Sequence, residues 1–285
     1  MKKINLPKEL VSFFDTNLKE LEENYPGINK IVLLRFLDDL GVDQYLGATE
    51  EIHTKLLKGI PLEYITKKKF FYDFEFSLNE DVLIPRFETE ILVHEAINLI
   101  KEKSINSVLD LGVGSGAIFI NILKYLKENS LKMNHLHASD ISQKALDVCE
   151  KNLTKLTWNK ALGQTELIKS DLYKNINNKY DLILSNPPYI KENADRAGVH
   201  RQTDAYEPHI ALYLADREYD AWFDDFFKNT FNNLNENGYF IYEGHEDHLE
   251  SQAKQLDSFG FKSIELIKDL TGRYRFIKAM KNKEV

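Results

Sequence analysis

Two consecutive prolines, Pro187 and Pro188, follow closely on the apolar run Tyr180-Asp181-Leu182-Ile183-Leu184 and fix where a buried strand has to stop. Each proline holds φ at about −65° and pushes the residue before it out of helical space, so Asn186 and Pro187 are both held extended. The product is a stiff ledge at a strand end, Ser185-Asn186-Pro187-Pro188-Tyr189, with an amide side chain and carbonyls that no sheet neighbour uses. In an open α/β sheet, ligands sit in the crevice beyond the carboxyl ends of the strands. A planar –NH2 group suits such a ledge. One N–H reaches the Asn186 side-chain oxygen, the other the Pro187 carbonyl, and the Tyr189 ring can lie against its plane. A bare N-P-P also serves as simple loop punctuation, so the ledge needs a companion.

That companion lies upstream. Val108-Leu109-Asp110-Leu111-Gly112-Val113-Gly114-Ser115-Gly116-Ala117 is an apolar strand running into a glycine turn, and Ile118 to Lys127 reads as the helix after it. Glycines let the backbone turn sharply and approach a ligand at a helix N-terminus. Gly112, Gly114 and Ala117 also satisfy the dinucleotide pattern G-x-G-x-x-G/A, so the turn alone is ambiguous. Asp110 inside the strand suits a cationic amino-acid moiety better than a pyrophosphate. The next strand, His135 to Asp140, ends in a carboxylate placed to accept from both hydroxyls of a ribose.

D-x-G-x-G-x-G with N-P-P-Y downstream resembles the class I S-adenosylmethionine (SAM) methyltransferases that modify planar nitrogens. Ile84-Pro85-Arg86-Phe87-Glu88-Thr89-Glu90 and Pro61-Leu62-Glu63-Tyr64-Ile65, behind a small helical segment, narrow the resemblance to the HemK/PrmC family. Those enzymes are N5-glutamine methyltransferases of class-1 peptide chain release factors, acting on the glutamine of the GGQ motif. The resemblance runs from about Pro61 to Met280, with a weaker helical match before it. It implies a seven-stranded Rossmann-like α/β domain preceded by a helical bundle and a β-hairpin linker. The cofactor is then SAM, held by Asp110, Gly112, Val113, Gly114, Ser115, Gly116, Asp140, Asp171, Leu172 and Asn186. Within that set the family places Asp171 near the adenine amine and the following side chain, here Leu172, against the ring. Asn186, Pro187 and Tyr189 become catalytic, and Asn186, Pro187, Pro188, Tyr189 and Glu207 face the substrate. The family pattern I-P-R-P-E-T-E lies over the cofactor; Phe87 replaces its second proline, which makes this loop less rigid.

In chain order, Pro7 to Glu23, Ile28 to Leu40 and Thr49 to Lys58 read as helices, the last capped by Thr49. They form a bundle over 1–66 that the resemblance assigns to substrate docking. Alternating Phe70, Tyr72, Phe74, Phe76 and Leu78, with Asn79-Glu80-Asp81 as the turn and Val82 to Ile84 after it, predict a linker hairpin over 67–87. The methyltransferase domain takes 88–285. It opens on a helix from Glu88 to Lys101 and closes on an antiparallel pair joined through Asp269-Leu270-Thr271-Gly272. Residues Lys191 to Arg217 show no period, and so long a structureless stretch reads as a lid or substrate loop.

Charge weighs against nucleic acid. Residues 1–70 hold 11 basic and 11 acidic side chains, so 26 basic and 34 acidic fall in 71–285, which carries the whole net charge of −8. Lys67-Lys68-Lys69 is the one basic run and reads as solvated surface. No apolar run approaches membrane-spanning length, the start lacks a signal-peptide core, and the single Cys149 fits a reducing cytoplasm. The expected state is a cytoplasmic monomer. No metal is expected: His135 and His137, and the stretch Glu243-Gly244-His245-Glu246-Asp247-His248, lack a known ligand spacing. Competing readings are glutamine methylation of a ribosomal protein, adenine-N6 methylation, a non-catalytic SAM- or nucleotide-binding module, and a dehydrogenase.

Overall fold

The computed structural model describes residues 6–157 and 165–282. The chain opens with five helices, α1 (Lys8–Asn24), α2 (Lys30–Leu40), α3 (Val42–Gly47), α4 (Thr49–Leu57) and α5 (Leu62–Thr66). Leu10, Phe14, Leu21, Leu33, Phe36, Leu37, Tyr45 and Leu56 bury one stripe of each long helix in a common core. Helix α2 starts where the Asn29 side chain accepts from the N–H groups of Ile31 and Val32. Thr49 is not a cap, contrary to expectation: its hydroxyl donates back to the Tyr45 carbonyl at 3.0 Å. Helices α3 and α5 are too short for a period to reveal them.

The hairpin β1 (Lys68–Phe71) and β2 (Phe74–Ser77) turns at Tyr72-Asp73 rather than at Asn79-Glu80-Asp81. Tyr72 takes a left-handed φ of 53° there. Folding back early turns Phe71 and Phe76 into the core and leaves Phe70 exposed, whereas an unbroken alternation puts Phe70 and Phe76 on one face. Residues 82–84 form no strand.

The remainder alternates: α6 (Thr89–Glu102), β3 (Ser107–Leu111), α7 (Ala117–Glu128), β4 (His135–Asp140), α8 (Gln143–Thr157), β5 (Thr165–Lys169) and β6 (Tyr180–Ser185). Then come β7 (Ile190–Lys191), α9 (Arg201–Tyr206), β8 (Tyr213–Leu214), α10 (Tyr219–Asn233), β9 (Leu234–Glu243), α11 (Leu249–Ser258), β10 (Phe261–Lys268) and β11 (Tyr274–Lys281). A seven-stranded sheet has the order β10-β11-β9-β6-β3-β4-β5, with β9-β6-β3-β4-β5 parallel and β11 antiparallel to both β9 and β10. Strand β3 is buried at every position, as a central parallel strand covered on both faces requires. Leu92, Val93, Phe119, Ile120 and Leu123 pack on one face, and Phe223, Phe226, Phe227, Phe240 and Tyr242 on the other. The stretch from Lys191 to Arg217 is not structureless as expected, since 190–214 holds β7, α9, β8 and two 3₁₀ turns. Its elements run two to six residues, below the length at which periodicity speaks. It is pinned to the bundle, since Gln202 Nε2 donates to the Gly59 carbonyl at 2.7 Å and the Tyr206 hydroxyl to Lys58 O. Among the described residues no helix is long and apolar enough to cross a membrane.

Candidate active site

Strands β3 and β6 lie side by side, with Leu111 opposite Ser185, and the Ser185 hydroxyl donates to the Leu111 carbonyl at 2.7 Å. The glycine turn and the proline ledge therefore leave the sheet together, at its topological switch point. The turn is fixed from β4: the N–H groups of Gly112 and Val113 both donate to Ser139 O, at 2.8 and 2.9 Å. Gly112 (φ 82°) and Gly114 (φ 53°) are left-handed, and nothing stands within 4 Å of where a Gly114 Cβ would project. A ligand can come against bare backbone at that point. Asp140 closes the turn, accepting from Gly114 N–H at 3.0 Å and Ser142 N–H at 2.9 Å on separate oxygens. Each oxygen keeps a lone pair for a hydroxyl. Burial raises the Asp140 pKa against the pull of those N–H groups.

A cleft opens over this turn. Its wall contains Gly112, Val113, Gly114, Ser115, Asp140, Asp171, Leu172, Asn186, Pro187 and Pro188, as expected, together with the apolar Pro85, Ile141, Ile210 and Trp222. Two expected cofactor residues are not on it. Gly116 sits behind the turn with φ 87°, and a Cβ there would stand 2.9 Å from both Cys149 Sγ and Ile120 Cδ1. Close packing of α7 on α8, not ligand approach, accounts for that glycine. Asp110 is also behind the wall, 1% exposed. Its Oδ2 accepts from Phe119 N–H at 3.1 Å and its Oδ1 has no partner. Burial raises its pKa to about 7, with Asp140 adding to the effect. Phe87 is 62% exposed and on neither this wall nor the next.

A second, more polar cavity shares Asn186 with the first and adds Arg86, Tyr189, Asp195, His200, His245 and Arg275. Asn186 stands between the two with Leu83 and Ala211, and is the polar side chain they share. Its Nδ2 donates to Thr89 Oγ1 at 3.2 Å and to Glu243 Oε2 at 3.1 Å. Glu243 also accepts from the Thr89 hydroxyl at 2.6 Å and the Tyr189 hydroxyl at 3.1 Å. Glu243 is buried, which raises its pKa, while its Thr89 hydrogen bond and the nearby Arg275 oppose the rise. Burial and the Glu243 charge raise the Tyr189 pKa, so its hydroxyl stays a donor. With Nδ2 committed twice, the Asn186 amide can face the cavities only through Oδ1, and among the described residues no donor reaches it or the Pro187 carbonyl. Thr89, which the resemblance places only within the segment over the cofactor, lines the first cleft, whereas Glu243 was not legible as a site residue. Glu243 ends β9, the strand beside β6, so its position at a strand terminus was the available signal.

Glu207 is not at either cavity. It is 4% exposed, and its carboxylate accepts from Ile84 N–H at 3.0 Å and from Arg86 Nη2 at 2.5 Å. The acid thereby ties 190–214 to the segment before α6 and aims Arg86 along the second cavity. His137 makes a buried contact of 2.8 Å from Nδ1 to the Tyr180 hydroxyl, an ordinary structural pair.

A doubly flanked parallel sheet with an antiparallel end, an acid-backed glycine turn and an amide ledge on adjoining strands define a Rossmann-like methyltransferase. Residues 89–204 match the family described as methyltransferase small domain. The release factor glutamine methyltransferase of Flavobacterium psychrophilum is 30% identical over 276 residues, which is 95% of this chain and 92% of that one. Its counterpart from Lactococcus lactis subsp. lactis is 33% identical, over 89% and 90% of the two chains. The chain belongs to the release factor glutamine methyltransferase family. Among solved structures, the ribosomal protein L11 methylase from Lactobacillus delbrueckii subsp. bulgaricus matches with a TM-score of 0.50 at 19% identity, over 72% of this chain and 84% of that one. That is a likeness of fold alone.

Proposed function

We propose that this protein transfers the methyl group of SAM to the side-chain nitrogen of a glutamine in a class-1 peptide chain release factor. The carrying observation is the orientation of Asn186, whose Nδ2 is bound by Thr89 and Glu243 so that Oδ1 and the Pro187 carbonyl remain as two acceptors. A primary amide has two N–H donors to fill them.

The first cleft fits SAM. Bare backbone at Gly114, the two-oxygen acceptor Asp140, the apolar Leu172 and Ile141, and the partnerless oxygen of buried Asp110 behind them suit a cationic amino acid joined to a nucleoside. Bound SAM supplies an electrophilic methyl group on a positively charged sulfur. The chain supplies position. Asn186 Oδ1 and Pro187 O grip both N–H bonds of the target amide, turning its nitrogen toward the first cleft and favouring pyramidalisation. Such alignment contributes up to about 7–11 kcal/mol of barrier lowering. No general base is required, because the proton can leave once nitrogen has become cationic.

In this reading residues 1–66 dock the protein substrate, 67–87 link, and 88–285 carry the chemistry. The protein acts as a cytoplasmic monomer and contacts no nucleic acid. Purified protein, labelled SAM and either a release factor or ribosomes test the assignment. Label on the glutamine of the release factor, located by peptide mass, supports it; label only on a ribosomal protein, or none on either, refutes it.

A further inference from the structure

Behind the ledge, on the side away from the glycine turn, three side chains from two distant segments converge. His245 and His248 stand three residues apart in the turn between β9 and α11, and Asp195 comes from the loop after β7. One donor atom from each lies within 4.8 Å of the other two. His248 Nε2 is 2.8 Å from Asp195 Oδ2, and the two imidazole rings are 5.0 Å apart at 37°. All three are half-buried, and Asp195 and His245 open onto the second cavity. The separation of 50 residues hides the acid from any spacing rule, which is why His245 and His248 alone carried no metal signal.

We propose that Asp195, His245 and His248 bind one zinc ion, leaving a fourth position open to the second cavity. Two imidazoles and one carboxylate form a borderline donor set that favours zinc over magnesium or calcium, which take oxygen ligands. Tetrahedral coordination at bonds of about 2.0–2.2 Å separates donor atoms by roughly 3.3–3.6 Å. The 2.8 Å pair has to open slightly and the wider pairs to close, movements of the size that side-chain torsions make. Of the cations around it, Lys191 Nζ lies 4.7 Å from the Tyr219 ring centre, Arg273 pairs with Glu246 at 3.3 Å, and Arg275, whose charge reaches His245, has its Nε 3.8 Å from the Asp269 carboxylate. The ion clamps the segment after Tyr189 to the segment after Glu243, so it stiffens the ledge from behind. Its role is positional, and no step of methyl transfer passes through it.

Metal binding is read without an activity assay. Tag-free protein is stripped with chelator, titrated with zinc chloride in a calorimeter, and compared with magnesium chloride. One equivalent of zinc is expected, with affinity at least about tenfold lower in Asp195→Ala and in His248→Ala. Cobalt substitution of the wild-type protein should give the intense visible bands of a tetrahedral site. His245→Gln, a milder change, keeps the comparison available if an alanine variant does not fold. Absence of zinc uptake by wild-type protein, equal uptake in the folded variants, or equal binding of magnesium overturns the site. None of these results depends on whether a release factor is methylated.

Discussion

Removing Glu243 isolates the orientation of the ledge from the binding of cofactor. Glu243 lies on neither cavity wall, yet it accepts hydrogen bonds from Asn186, Thr89 and Tyr189 at 3.1, 2.6 and 3.1 Å. In Glu243→Ala the Asn186 amide loses its charged acceptor, and a half-turn that exchanges Oδ1 and Nδ2 loses most of its penalty. A hydrogen bond to a charged group contributes about 1.5–3 kcal/mol, so kcat should fall about 10- to 150-fold. Glu243→Gln keeps the volume and one acceptor oxygen. A neutral bond keeps about 0.5–1.5 kcal/mol of that, so about 1–1.5 kcal/mol is lost and kcat should fall about 5- to 13-fold. Both rates come from labelled methyl transfer at saturating SAM and release factor, corrected by thermal melting for the folded fraction. SAM affinity by calorimetry should fall less than kcat, because Gly114 and Asp140 are untouched and, on the same wall, Asn186 and Thr89 are only reoriented. Wild-type kcat in a folded Glu243→Ala protein would show that Asn186 is oriented by something else. A fall confined to SAM affinity would show that Glu243 belongs to the cofactor site.

Asn186→Ala should abolish transfer while a SAM-induced rise in melting temperature persists; near-normal turnover refutes the ledge. Asp110→Asn tests the buried carboxyl whose pKa burial raises to about 7 from an ordinary 3.8. A raised acid favours folding while protonated and loses that contribution as pH climbs, here between about 4 and 7. The Asn variant should therefore gain stability over wild type across that window in pH-dependent melts, reach a plateau above it, and show weaker protection by SAM. Gly116→Ala meets both a left-handed φ and a contact of 2.9 Å with Cys149 and Ile120, so denaturant melts should register a loss of about 1–3 kcal/mol. Glu207→Gln leaves Arg86 without its ionic partner; because Arg86 keeps some solvent, chemical denaturation should show the lower end of about 3–5 kcal/mol.

What the sequence made legible follows from where local rules are strong. Pro187 and Pro188 end β6, and the glycine pattern ends β3, because backbone stereochemistry alone decides both. The seven-stranded sheet and the places of Asp171 and Leu172 came from the family resemblance, while Gly112 to Ser115, Asp140 and Asn186 to Pro188 were marked by the motifs themselves, and all of these residues lie on one wall. Asp110 and Gly116 lie within the same motif but behind the wall, a distinction that needs side-chain direction. The Tyr72-Asp73 turn was hidden because an unbroken alternation over Phe70 to Leu78 gives no sign of reversal without a glycine or asparagine. Glu207 reads as a substrate acid only until Arg86 and Ile84 N–H, more than a hundred residues away in sequence, are found occupying it. Long-range partners of this kind, including Thr89 with Glu243, have no local trace.

Leu111 and Ser185 are ladder partners, so the origins of the glycine bend and the proline ledge are one strand spacing apart, about 4.8 Å. That interval is a lattice constant of the sheet and owes nothing to the intervening chain. Relatives can lengthen α7, or the connection between α8 and β5, and the gap between methyl donor and acceptor keeps its width. Drift in loop length is thereby uncoupled from reaction distance, whereas a one-residue slip between β3 and β6 would offset the two halves of the site at a stroke.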